Sequence, residues 1–193
     1  MEIKDTGLAD CVLIAPAIHC DGRGCFYEGW NAARYGAAGL PARFVQYNVS
    51  CSHRGVLRGL HYQWPGNPQG KLVSVMHGEV FDVAVDLRRG SPTFGKHFSV
   101  ILNSENRLQL WVPPGFAHGF LALTDDAAFS YLCTAPYDPS SEKSIRWNDP
   151  DLKIAWPLDD VRLSAKDAVA PVLNGIRVDW LPVYEAGAFG GRI

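Results

Sequence analysis

Between Phe44 and Thr134 the chain never sustains the apolar period of a long helix. Short β-branched and aromatic runs recur instead about every ten residues, with glycine and proline between them, which predicts an all-β sandwich or barrel. The runs are Phe44–Ser50, Leu72–Met76, Val80–Arg88, Phe98–Leu102, Leu108–Val112 and Phe129–Thr134. Before them, Asp10–Ala15 reads as a strand, Asp21–Gly24 as a turn and Asn31–Leu40 as a short helix. The last third is loop-like and carries Trp147, Trp156 and Trp180. There is no internal repeat and no linker, and 193 residues suffice for a substantial core. The expected organisation is one domain over 1–182 followed by a glycine-rich tail, 183–193.

Charge narrows the partners. A net charge of −2 gives no reason to expect nucleic acid or an anionic membrane, so any affinity for anions must come from local arginines and lysines. No apolar run approaches the roughly 18 residues of a membrane span. Five cysteines without a C-x-x-C pair read as reduced thiols rather than a disulfide framework or a structural zinc. The N-terminus has acidic residues and lacks the basic start and long apolar core of a secretory signal. These features lead to the expectation of a soluble, cytoplasmic protein.

Chemistry concentrates in Gly55–Lys71, where Arg58, His61 and Lys71 lie among turn-forming residues. Histidine exchanges protons near neutral pH. Arginine grips phosphate or carboxylate in bidentate fashion, and lysine can stabilise an anion formed during a reaction. The combination suits proton chemistry on a phosphate-bearing molecule. A carboxylate would orient the imidazole, and Asp82, Asp86 and Asp167 are all candidates. Asp82 and Asp86 share a strand face but stand about 13 Å apart, too far for a close pair. In Phe44–Ser50, Gln46, Asn48 and Ser50 share one face while Val45, Tyr47 and Val49 share the other; pattern alone turns the polar face to water. Arg23, taken singly, reads as a solvated turn arginine.

A glycine six residues before His61, and the Pro-x-Gly-x-x-His from Pro113 to His118, resemble the paired motifs of cupin barrels. Metal-binding cupins carry His-x-His and a nearby glutamate in the first motif. Here Tyr62-Gln63 follows His61, and the next glutamate is Glu79. Two histidines fall short of the three or four protein ligands a transition metal usually has, so no metal is expected.

A longer resemblance then becomes visible. Its first half is Asp21-x-Arg23-Gly24-x-Phe26-x-Glu28, Phe44-Val45-Gln46-x-Asn48, Gly55 through Gln63, and Gln69-Gly70-Lys71. Its second half is Leu110 through Phe120, Tyr131, Tyr137-Asp138-Pro139-x-x-Glu142, Ile145-Arg146-Trp147-x-Asp149-Pro150 and Leu163-Ser164-x-Lys166-Asp167. In this order the motifs resemble the dTDP-4-dehydrorhamnose 3,5-epimerase family. The resemblance implies a cupin-like jelly-roll barrel with short peripheral helices. The implied activity is cofactor-independent inversion, through an enolate, of the carbons flanking the ketone of a dTDP-linked 4-keto-6-deoxy sugar, in dTDP-L-rhamnose biosynthesis.

By the same resemblance His61 is the base, Asp167 its orienting partner, Lys71 the enolate stabiliser and Tyr131 the acid on the opposite face. Arg23 and Arg58 suit the diphosphate; Glu28, Gln46 and Asn48 suit nucleotide or sugar hydroxyls; Phe26 and Tyr137 offer stacking faces. His118, Glu142 and Lys166 match further substrate-binding positions. A homodimer with exchange of the N-terminal strand is implied, so that Arg23–Glu28 complete the neighbour's site. The chain departs from the family pattern at Tyr47 (usually acidic), Val49 (commonly histidine) and Cys51 (often arginine). The alternatives are an epimerase acting on one carbon only, a non-catalytic nucleotide-sugar-binding barrel and a metal-dependent cupin oxygenase.

Overall fold

The computed structural model describes residues 1–186. Its strands are β1 (Glu2–Asp5), β2 (Val12–Ala15), β3 (Ile18–Asp21), β4 (Gly24–Tyr27), β5 (Gln46–Ser52), β6 (Leu57–Gln63) and β7 (Lys71–His77). They continue as β8 (Glu79–Asp86), β9 (His97–Asn103), β10 (Gln109–Val112), β11 (Phe116–Ala122), β12 (Ala127–Cys133) and β13 (Glu142–Ser144). Two short helices, α1 (Ala32–Ala37) and α2 (Ala165–Ala168), lie at the periphery. A six-stranded sheet in the order β1-β2-β10-β7-β12-β5 faces a five-stranded sheet in the order β13-β6-β11-β8-β9. The pairings in both sheets are antiparallel, giving the expected cupin-like jelly roll.

Both sheets are covered on two sides, which explains why several strands lack alternation. Val73, Val75, Val80, Leu102, Phe116 and Phe129 fill the space between the sheets. On the far face of the small sheet, Leu60, Tyr62, Val85 and Leu87 pack under the C-terminal third through Leu152, Ile176 and Leu181. On the far face of the large sheet, Leu72 and Trp111 meet Tyr35 of α1. The strand β8 is therefore covered on both faces, and it carries Asp82 and Asp86 fully buried. Asp86 is neutralised by Arg88, whose guanidinium also reaches Asp10, while Ser91 and Thr93 donate to the same carboxylate.

The sequence pattern does not single out β6 and β11 as strands, because Gly59 and Gly119 punctuate them. Those glycines are where the two strands press together. A Cβ on Gly59 would stand 2.5 Å from the Gly119 Cα, and one on Gly119 would stand 2.7 Å from the Arg58 carbonyl oxygen. The ladder shifts register here, between His118 and Phe120.

Two expectations are corrected. The polar face of β5 turns inward and the apolar face outward: Tyr47 is 55% and Val49 54% exposed, whereas Gln46, Asn48 and Ser50 are half-buried. The cysteines are not all reduced, since Cys20 and Cys25 form a disulfide. The reason is the hairpin register. Across the turn Asp21–Gly24, strands β3 and β4 set Cys20 directly opposite Cys25, with their Cα atoms 4.0 Å apart. Cys11, Cys51 and Cys133 remain free thiols.

At the C-terminus, Val183 bridges to Arg89 and the Tyr184 N–H donates to the Arg89 carbonyl, so the first residues of the expected tail lie against the body of the protein. Residues 187–193 of that tail lie outside the described residues. No helix among the described residues is long and apolar enough to cross a membrane.

Candidate active site

A cavity opens between the sheets where the apolar filling stops. It has two lobes, of about 650 and 370 Å³, which share His61, Lys71 and Tyr131. Phe120 and Phe129 line the larger lobe, which also presents Arg58, His118 and Ser164. The smaller lobe presents Gln46, Asn48, Tyr137 and Glu142. These three side chains thus face both lobes at once, at their junction.

His61 projects inward from β6, its neighbours Leu60 and Tyr62 being committed to the opposite face of the sheet. Its Nε2 lies 2.5 Å from Oδ1 of Asp167. Asp167 is buried on α2, and its backbone N–H donates to Oγ of Ser164, the residue that caps that helix. Burial by itself raises the Asp167 pKa; the hydrogen bond and charge of His61, with help from Ser164 and Lys166, outweigh it and hold the carboxyl below its ordinary range. With Nε2 hydrogen-bonded to the carboxylate, the other ring nitrogen is left free of that bond and able to exchange a proton.

Tyr131 comes from β12 in the large sheet, whereas His61 comes from β6 in the small one. The two therefore reach the shared cavity from opposite walls. Burial pushes the Tyr131 phenol upward, against weaker effects of Asn48 and Arg58, so it keeps its proton at neutral pH. Lys71, the first residue of β7, faces the same junction. Removal from water lowers its pKa, opposed by Cys133, Glu142 and Asp82. A partly desolvated ammonium is suited to stabilising a nearby oxyanion.

Arg58 is braced along β5, its Nε donating to Ser52 Oγ at 3.1 Å and Nη2 to the Cys51 carbonyl at 3.4 Å. Glu142 on β13 accepts from Lys166 at 2.7 Å and from the Tyr137 hydroxyl at 3.1 Å. Burial raises the Glu142 pKa, but Lys166 prevails and it stays below the usual carboxylate range. His118 is buried beside His61 as its cross-strand partner, and its Nε2 sits 3.0 Å from Asp82. Sequence reasoning missed that pairing. Asp82 was a candidate partner for His61 and belongs instead to His118, so the two cross-strand histidines each have their own aspartate, Asp82 from β8 and Asp167 from α2. A signal existed in the inward phase of Asp82 on β8, but the choice between histidines depends on the β8–β11 register.

Three expected residues are not gathered here within one chain. Arg23 sits at the tip of the β3–β4 hairpin, paired with Asp21 and almost wholly exposed. Phe26 is 70% exposed on the same hairpin. Glu28 contacts Asn31 and Arg34.

A family model described as dTDP-4-dehydrorhamnose 3,5-epimerase matches residues 5–175. The chain belongs to the dTDP-4-dehydrorhamnose 3,5-epimerase family. A dTDP-4-dehydrorhamnose 3,5-epimerase from Methanothermobacter thermautotrophicus is 51% identical over 183 residues, 93% of each chain. A family member from Pseudomonas aeruginosa is 53% identical over 169 residues, covering 86% of this chain and 93% of that one. Among solved structures, the dTDP-6-deoxy-D-glucose-3,5-epimerase of Legionella pneumophila, in complex with dTDP-4-keto-L-rhamnose, superposes with a TM-score of 0.91. It is 53% identical, over 96% of this chain and 99% of that chain. A 3'-monoepimerase from Streptomyces bikiniensis in complex with dTDP-quinovose is 40% identical with a TM-score of 0.85, over 93% and 92% of the chains. Epimerases of this family thus share the fold over nearly the whole length of the chain.

Proposed function

We infer that this protein is a dTDP-4-dehydrorhamnose 3,5-epimerase acting in dTDP-L-rhamnose biosynthesis. The observation that carries the reading is the pair of opposed walls. The His61–Asp167 couple stands on one sheet, Tyr131 on the other, and Lys71 at the junction between them. A ketone acidifies the hydrogens on both flanking carbons. His61 removes one of them, Lys71 stabilises the enolate oxygen, and Tyr131 returns a proton from the far side, which is what inverts the carbon. Reprotonation by His61 itself would restore the starting sugar. The same three side chains serve the second carbon, since inversion there needs the same base, acid and lysine.

Arg58 suits the diphosphate, Tyr137 and the amides of Gln46 and Asn48 the nucleotide, and His118, Glu142 and Lys166 the remaining polar contacts. No metal or other cofactor enters this scheme. A homodimer with exchanged arms is part of the reading. It is supported by the exposed Arg23–Phe26 hairpin and by the outward apolar stripe of Val45, Tyr47 and Val49 with Met76. A nucleotide-linked substrate and three free thiols favour the cytoplasm, although the Cys20–Cys25 bond runs the other way.

The test is solvent exchange. The protein is incubated with dTDP-4-keto-6-deoxyglucose in deuterated water, and deuterium is located by NMR. Label at both flanking carbons is the expected result. Label at a single carbon would shift the reading to a monoepimerase, like the Streptomyces bikiniensis enzyme, and a bound but unlabelled sugar would shift it to a binding barrel.

A further inference from the structure

The inward face of β5 carries a hydrogen-bond chain whose direction can be read without ambiguity. It begins at the backbone N–H of Tyr137, which can only donate and which meets Oε1 of Gln46 at 2.8 Å. The Gln46 amide is thereby oriented, and its Nε2 donates to Oδ1 of Asn48 at 3.0 Å. Asn48 is oriented in turn, and its Nδ2 points at Sγ of Cys133, 3.7 Å away. An amide nitrogen there needs an acceptor, and the sulfur supplies it. Cys133 is completely buried on β12 and stands in register between Gln46 on one neighbouring strand and Lys71 on the other.

We propose that Cys133 is a positioning residue for substrate binding: its thiol closes the chain Tyr137–Gln46–Asn48 and pins the free end of the Asn48 amide, holding its plane toward the ligand. Each amide keeps one N–H beyond those the chain consumes. Held in this orientation, Gln46 and Asn48 offer donors to the smaller lobe and recognise acceptor oxygens of the nucleotide or sugar. Without the sulfur, the Asn48 amide keeps the Gln46 donor at Oδ1 but loses its partner at Nδ2, so its plane is held at one end only and can swing. The donor it offers to the binding lobe is then misaimed in a fraction of molecules. The position also explains why a buried free thiol is present in a wall of the site: a side chain of this size that accepts weakly and fills an apolar space is what the end of the chain requires.

The proposal rests on the epimerase reading, and its test keeps the two apart because wild-type exchange in deuterated water is measured first. If the wild type shows no exchange, the epimerase reading fails whatever Cys133 does. Given wild-type turnover, steady-state constants and dTDP affinity by calorimetry are then measured for Cys133→Val and Cys133→Ser. Removing one neutral hydrogen bond predicts a rise of about fivefold in KM and in the dTDP dissociation constant for the valine variant, with kcat within about twofold. Serine, which can accept, is expected to recover most of the affinity. A double-mutant cycle with Gln46→Leu separates positioning from packing. If the thiol acts through the chain, the second substitution adds little to the first in dTDP binding, and Cys133→Ala serves in the cycle should the valine variant fold poorly. Additive effects, an unchanged KM, or a loss confined to kcat would overturn the proposal.

Discussion

At the scale of single residues, the two sides of the proton path carry different expectations. On the proposed mechanism His61→Ala removes the base and is expected to abolish deuterium incorporation, a loss of at least about 10²-fold. Tyr131→Phe leaves the base intact, so labelling should persist at one or both carbons while inversion falls by a similar factor; following label and configuration by NMR in one sample separates the two. The His61–Asp167 couple also sets an acid limit. Asp167 has a folded-state pKa below its unfolded value, so its stabilising contribution is complete above the ordinary carboxylate range, near pH 4, and is lost as pH falls through the lowered value. The urea midpoint of the wild type should therefore drop on acidification through this window, and Asp167→Asn should flatten that limb while lowering turnover at neutral pH. Legibility at this scale was uneven. Arg58, His61 and Lys71 declare themselves by proximity in sequence. Asp167 lies 106 residues from the histidine it serves, so only resemblance named it, and composition could not choose it over Asp82.

At the scale of elements, the contact between β6 and β11 governs where His61 and His118 stand. The glycines that obscured these strands in the sequence are the reason they approach so closely. Gly119→Ala would drive a methyl group into the Arg58 carbonyl and the Gly59 backbone, which cannot give as a flexible side chain does. Such overpacking is expected to cost about 1–3 kcal/mol, read as a lower urea midpoint, with activity falling more steeply because both histidines are displaced. Strands β2, β5, β7, β8, β9, β10 and β12 were legible because hydrophobic runs with turn-formers between them survive the tertiary context, whereas β1 and β13 are short and polar and leave no such run. Burial on both faces blurred β11, where alternation gives way to a largely apolar sequence. The β3–β4 hairpin was half legible: its turn was foreseen, whereas the Cys20–Cys25 bond depends on a register that spacing alone leaves open.

At the scale of the whole molecule, the cavity is lined by residues of one chain, and Arg23, Phe26 and Glu28 stand outside it. If an exchanged arm delivers these residues to a neighbour, two separately inactive variants should restore one another. Arg23→Ala supplies a deficient arm and His61→Ala a deficient cavity; a mixed dimer of the two has one site with both lesions and one with neither. After subunit exchange, an equimolar mixture is expected to reach about one quarter of wild-type activity, because half of the dimers are mixed and each holds one intact site. Activity no greater than the sum of the unmixed variants would place Arg23 outside the neighbour's site. Sequence pattern could not supply this level of organisation, since nothing in Asp21–Glu28 says which copy of the barrel it serves.

Placing His61 and Tyr131 on separate sheets makes the body of the barrel a caliper. The gap between its jaws is set by Val73, Val75 and Phe116, core residues that line neither lobe of the cavity. Stereochemical outcome is in that sense a dimension of the core: trimming the apolar filling would let the jaws drift, leaving every reactive side chain in place while the gauge no longer fits the ring.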